Sequence, residues 1–200
     1  MSAIISEIVK IAINPAVFML ASPAFARLRK TSVEFGVKEQ YYGINTEDKS
    51  QLFWIIHWPK SVGIDKSDAF RKSVKELDVN GAPESWYIPF DDASAVRPGL
   101  TAPVFDLCFL HESGKTDKST IADSLHKTFT DCYEAEGFTG GSWGTATNDS
   151  RMNYYYLGWE SRAFHANYSA TPLFAVEIDN LMPHMDGGKG YFMKMEQQLD

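Results

Sequence analysis

The side chains with the most chemical reach in this chain are two histidines and two acids set among apolar neighbours: His165, His57, Asp106 and Glu7. An imidazole titrates near neutrality, so either histidine is a candidate general base. Glu7 and Asp106 each interrupt an apolar run, at residues 4–13 and 104–111. An isolated charge is costly to bury, so each acid must be paired or hydrated. If it lines a wet cavity, a desolvated carboxylate with a raised pKa can act as acid or base. If it is structural, it pairs with a cation such as Lys10 or Arg71. His57 shares that ambiguity: it stands beside Trp58 and reads equally as a hydrogen-bonded residue of the core. Around these groups Tyr42, Trp54, Trp143, Tyr155, Phe129 and Tyr133 are candidates for an aromatic substrate lining. Buried rings stabilise a core whether or not a ligand is present, so Trp58 and Trp159 read as anchors.

The elements that must position these residues repeat. Residues 40–58 and 141–159 share one layout, in which Gly43 precedes Trp58 by 15 positions (58 − 43) and Gly144 precedes Trp159 by 15 (159 − 144). Residues 4–13 are β-branched and predict a strand. Asn14 and Pro15 then offer a cap and first-turn proline for a helix, with Phe18, Ala21, Phe25 and Leu28 at helical spacing and Pro23 kinking or restarting it. Strands follow at 37–45 and 51–58 across a polar turn. Ser67 caps a helix bearing Phe70, Val74 and Leu77, stopped at Asn80 and Gly81, and residues 85–90 close the unit. After a connector without periodicity the order returns: a strand at 104–111, a helix carrying Ile121, Leu125, Phe129 and Cys132, strands at 138–147 and 152–159, a helix from Pro172 to Leu181, and a strand at 190–195.

Strand, helix, strand, strand, helix, strand is the split βαβ order, whose four-stranded sheet carries both helices on one face. Residues 51–58 are apolar on both alternating sets, and such a strand must be covered on both faces. The expected fold is therefore α+β: two tandem ferredoxin-like β-α-β-β-α-β repeats, residues 1–98 and 99–200, stacked into one pseudo-dimeric α+β barrel.

The motifs WESRAFH at 159–165 and YYGINTED at 41–48 resemble the dimeric α+β-barrel superfamily, which includes antibiotic-biosynthesis-type monooxygenases, EthD-like proteins and stress-responsive barrels. The resemblance spans almost the whole chain as two copies. It implies an enzyme of secondary metabolism that needs no cofactor and acts on a hydrophobic aromatic or polycyclic molecule, as an isomerase, cyclase, dehydratase or monooxygenase. A ligand-binding or stress-related barrel without catalysis is the alternative, and a haem protein using His57 or His165 a further one. The resemblance also implies that His165 faces the cleft between helices and sheet. The first copy has WPK and Ile64 where the second has WES and His165, so one competent pocket is expected, in the second repeat.

The remaining composition excludes more than it assigns. A net charge of −7, from 19 basic and 26 acidic residues, argues against a nucleic-acid surface. Cys108 and Cys132 have neither zinc-type nor CxxC spacing, so reduced thiols and no metal are expected. GGSWG at 140–144 and GGKG at 187–190 lack the setting of a phosphate loop and read as turns or bulges. Residues 11–26 imitate a signal sequence, but Glu7 lies ahead of that stretch and Asn14-Pro15 interrupts it, and no apolar run reaches the roughly 18 residues of a membrane span. A cytoplasmic protein, monomeric or weakly dimeric because the tandem supplies its own partner, is the expectation.

Overall fold

The computed structural model describes residues 3–61 and 68–199. The expected cap Ser67 and the contrast residue Ile64 lie outside the described residues. The first half runs β1 (Ile4–Ala12), α1 (Pro23–Glu34), β2 (Glu39–Ile44), β3 (Gln51–Pro59), α2 (Asp68–Leu77) and β4 (Glu84–Phe90). The second runs α3 (Arg97–Leu100), β5 (Val104–Glu112), α4 (Lys118–Thr130), β6 (Phe138–Thr145), β7 (Met152–Trp159), α5 (Arg162–Ser169), α6 (Pro172–Leu181), β8 (Met185–Met193) and β9 (Glu196–Leu199). One sheet has the order β4-β1-β3-β2-β9 and the other β6-β7-β5-β8. Without β9, both orders are the same ferredoxin-like arrangement, so the α+β fold of two tandem repeats stands.

Two compact units result, residues 94–192 and the remainder. The chain thus divides just before residue 94 rather than at 98, and its last eight residues belong with the first unit. They do so because β9 pairs antiparallel with β2, Tyr42 opposite Glu196 and Glu39 opposite Leu199.

In the first unit Trp54, Ile56, Trp58, Val9 and Ile11 pack with Phe25 and Leu28 of α1 and Phe70 and Val74 of α2. The alternate residues of β3, Phe53, Ile55 and His57, are buried too. In the second unit Tyr155, Leu157 and Trp159 pack with Ile121 and Leu125 of α4 and Leu181 of α6. No helix among the described residues is long and apolar enough to cross a membrane.

Three expectations are corrected. The first helix begins at Pro23, not at Pro15: Asn14 supports only one turn, its carbonyl accepting from Phe18 and its side chain from Ala16. Pro23 has no N–H to continue a helix from upstream, whereas its fixed φ suits a first turn. The connector holds α3, a four-residue helix seated so closely on β7 that a Cβ at Gly99 would lie 2.7 Å from the Tyr156 carbonyl oxygen. Its length is below any readable period. The closing strand starts at Met185 and is followed by β9; Gly187, Gly188 and Gly190 hid it by their low strand propensity.

The strand β9 covers an edge that would otherwise expose unpaired backbone groups. It also supplies Gln197 Nε2, which donates to Tyr41 Oη at 2.8 Å, and Gln198 Oε1, which accepts from Arg29 Nε at 3.1 Å. Deleting residues 195–200 removes both bonds, each worth about 1 kcal/mol. We expect a lower melting temperature and concentration-dependent association, read by calorimetry and light scattering.

Candidate active site

The acid in the first strand of each unit occupies the same place in the sheet. Glu7 lies opposite Ile56, two residues before Trp58, and Asp106 lies opposite Leu157, two residues before Trp159. Their surroundings differ. Glu7 is fully buried and accepts from Trp58 Nε1 at 2.7 Å and from both Arg71 guanidinium nitrogens, at 2.5 and 3.2 Å. Both oxygens are engaged, as an ion pair beneath a helix requires.

In the second unit three substitutions loosen this packing. The ten-residue helices α2 and α6 match at Phe70 and Phe174, Val74 and Ile178, Leu77 and Leu181, which sets Ala175 where the first unit has Arg71. Asp106 is one methylene shorter than Glu7. On the neighbouring strand β8, a Cβ at Gly190 would lie 2.9 Å from Asp106 Oδ1, whereas Glu7 has Tyr87 beside it on β4. Here a cavity of about 310 Å³ opens, lined mainly by Leu110, Leu157, Phe174, Ile178 and Phe192, with Asp106 and His165 among its polar groups.

His165 is held over this cavity by α5, whose N-cap Ser161 accepts from the Phe164 N–H. Ahead of that helix, Gly137 adopts φ +75°, and any Cβ there would lie 2.3 Å from the Phe164 ring. The turn before β6 therefore admits only glycine where α5 packs. The imidazole sits edge-on to Trp159, centroids 5.3 Å apart, and against Phe192 at 4.8 Å. Its Nε2 lies 3.4 Å from Asp106 Oδ2.

Burial, and behind it the Arg162 guanidinium, lowers the His165 pKa from 6.5 to about 4. The nearby Asp106 carboxylate, when ionised, acts in the opposite sense. The resting ring is neutral at physiological pH, a base with an acid beside it to stabilise the imidazolium once formed. Cys108 and Cys132 also line the cavity; burial pushes both thiols up, Cys132 to about 12, so they are not thiolates at neutral pH.

Of the residues named from sequence, His165, Asp106 and Tyr155 come together at this cavity, with the Tyr155 hydroxyl donating to the Leu125 carbonyl at 2.8 Å. The others do not. Glu7 is the ion-pair partner described above. His57 lies in the first unit, 3% exposed, its ring 5.6 Å from that of Tyr41. Tyr42 and Trp54 belong to the first core: Arg29 lies over the Tyr42 ring, and Trp54 Nε1 donates to Gln40 Oε1 at 2.9 Å. Trp143 stacks on the outer side of Tyr155 and donates to His126 Nδ1 at 3.2 Å, while Phe129 and Tyr133 pair edge to face, Tyr133 mostly exposed. The sequence reading missed Tyr168, Phe174, Ile178 and Phe192. Tyr168 sits in the last turn of α5, three positions beyond His165 on the helix that WESRAFH opens.

Among the described residues no group of three His, Cys, Asp or Glu side chains could hold a metal ion. Of the two histidines named for a haem, His165 has Nε2 3.4 Å from Asp106 Oδ2 and His57 is 3% exposed in the first unit.

No protein-family model matches the chain, and no curated protein matches it significantly. Solved structures do. A candidate monooxygenase from Fusobacterium nucleatum subsp. nucleatum aligns at TM-score 0.67 and 11% identity, over 100% of this chain and 95% of its own. A candidate monooxygenase from Lactobacillus acidophilus aligns at 0.64 and 12%, over 100% and 97%. An anthrone oxidase-like protein aligns at 0.64 and 8%, over 98% and 93%. These likenesses show a shared fold, two tandem ferredoxin-like α+β repeats, over nearly the full length of each chain.

A depressed histidine pKa means that the unfolded chain binds the extra proton between pH 6.5 and about 4. The stability contributed by His165 is therefore present above pH 6.5 and lost as pH falls toward 4. By NMR titration the His165 ring should show a midpoint well below 6.5, and Asp106→Asn should lower it further. A midpoint at or above 6.5 in both proteins contradicts the assignment.

Proposed function

We propose that the second unit is the catalytic one, and that it is a monooxygenase-type enzyme working on a hydrophobic aromatic small molecule without a bound cofactor. The observation that carries this reading is the pairing of His165 with Asp106, 3.4 Å apart, at the edge of a largely apolar cavity. A cavity near 300 Å³ is at the small end of ligand sites and suits a few fused rings.

In the reading we favour, neutral His165 takes a proton from an acidic C–H or O–H of the substrate, and Asp106 stabilises the imidazolium that results. The apolar walls strengthen that electrostatic pairing by excluding water. The resemblance to an anthrone oxidase-like protein makes anthrones the first compounds to try. Deprotonation of such a CH₂ group gives an electron-rich carbanion that reacts with dioxygen; the carbon becomes a carbonyl, and the second oxygen atom leaves as water. The CH₂ carbon gives up four electrons in becoming a carbonyl and dioxygen takes up the same four, so no external reductant enters the balance.

The test is turnover of anthrone with oxygen uptake. His165→Ala should lower kcat by 10² to 10⁴-fold, the usual worth of a general base, in protein that circular dichroism shows to be folded. His57→Ala should keep its activity and lose stability instead. Full activity in His165→Ala, or loss confined to His57→Ala, overturns this reading.

A further inference from the structure

A smaller hollow of about 210 Å³ adjoins the cavity of the candidate site, lined by Glu134, Phe164, Asn167, Thr171 and Leu173 together with Tyr168. The cavity draws other residues from the same three segments: Cys132 from the turn after α4, His165 and Ser169 from α5, Phe174 and Ile178 from α6. Tyr168 lines both spaces. Helical spacing accounts for the sharing, because residues three and four apart are neighbours on a helix surface. Tyr168 stands three positions from His165, which lines the cavity, and four from Phe164, which lines the hollow. The helix α5 thus turns one stripe to each space, and Tyr168 is where the stripes meet.

Its ring is held in place from several sides. Tyr168 is only 6% exposed although two hollows adjoin it. It lies against Trp159, ring centroids 5.7 Å apart, and meets Phe174 edge to face at 5.5 Å. Its hydroxyl lies beside the Cys132 thiol. The backbone is fixed as well: the Tyr168 carbonyl accepts from the Thr171 N–H at 2.9 Å and from the Thr171 hydroxyl at 2.7 Å. That hydroxyl in turn accepts from the Phe174 N–H at 3.2 Å, so one threonine ties the end of α5 to the start of α6. A ring packed in this way cannot give way to a ligand without losing its contacts.

We propose that Tyr168 is the size-determining residue of this pocket: its ring closes the cavity against the adjoining hollow, so that the site takes a compact fused-ring body and rejects one that carries a further aryl arm. The proposal rests on the reading of the same cavity as a substrate site but concerns the limits of binding, and it is tested without turnover.

The probes are 2-naphthol and 6-phenyl-2-naphthol, the same bicycle without and with an aryl arm, titrated against the full chain by calorimetry or fluorescence. The wild-type protein should bind 2-naphthol and hold the phenyl compound more weakly. Tyr168→Ala joins the two spaces and should raise affinity for the phenyl compound by about tenfold or more, the worth of a buried ring, with little change for 2-naphthol. Tyr168→Phe keeps the ring and should discriminate as the wild type does. Adding Leu173→Trp to Tyr168→Ala refills the hollow and should abolish the gain while leaving 2-naphthol as before; a merely structural role for Tyr168 would weaken both probes together. Tyr168→Leu, which shortens the side chain without emptying its place, carries the same test if Tyr168→Ala fails to fold. Equal affinity for the two probes in the wild type, no gain in the folded Tyr168 variants, a gain that survives the added tryptophan, or no binding of either probe overturns the proposal. If the size limit is found and relieved as expected while His165→Ala retains full turnover, the partition stands and the catalytic reading falls. If His165→Ala loses turnover while Tyr168→Ala discriminates as before, the catalytic reading stands and the partition falls.

Discussion

A carboxylate in the middle of the first strand of each repeat is the constraint on which the rest of both units turns. A charge there lies under a helix layer and beside a tryptophan, where it must be given partners. The first unit meets that demand fully, with Arg71 and the Trp58 indole closing around Glu7. The second meets it with a titratable group, His165, and leaves a cavity where the remaining partners stood. One position thus makes a packed core in one repeat and a candidate site in the other.

The divergence needs few changes because the changes are neighbours. Alanine in place of arginine on the helix and aspartate in place of glutamate on the strand remove volume at one point of the sheet, beside Gly190, which has no side chain. Each alone would leave a costly void or an unpaired charge. Together they leave a space whose walls are apolar and whose polar groups converge on one end, as in small-molecule pockets. The first unit keeps its acid in an ion pair, and β9 pairs with the edge strand β2 of its sheet.

Rigidity matters for the site as well. His165 is fixed by a capped helix, by the turn at Gly137 that admits α5, and by aromatic contacts on two sides. For the base proposed above, a side chain held in this way starts close to its reacting geometry, which is where positional catalysis gains most. The cysteines in the same wall stay protonated and contribute packing.

The tandem order and the two repeats were legible in the sequence because they rest on local pattern: alternation along 51–58 and 152–159, the equal Gly to Trp spacing, and prolines and glycines at element ends. Asp106 stood out for the same reason, as an acid in an apolar run, whereas His165 stood out through the resemblance carried by WESRAFH. The tertiary structure alone decided which acid is spent on an ion pair, since Arg71 and Ala175 look alike as surface-helix positions until their helices are laid on the sheets. It alone separated Tyr155, which lines the cavity, from Trp143, Phe129 and Tyr133, because ring side and depth depend on register across strands. It also moved the final strand to the first unit, an edge pairing between residues over 150 positions apart that no local pattern encodes.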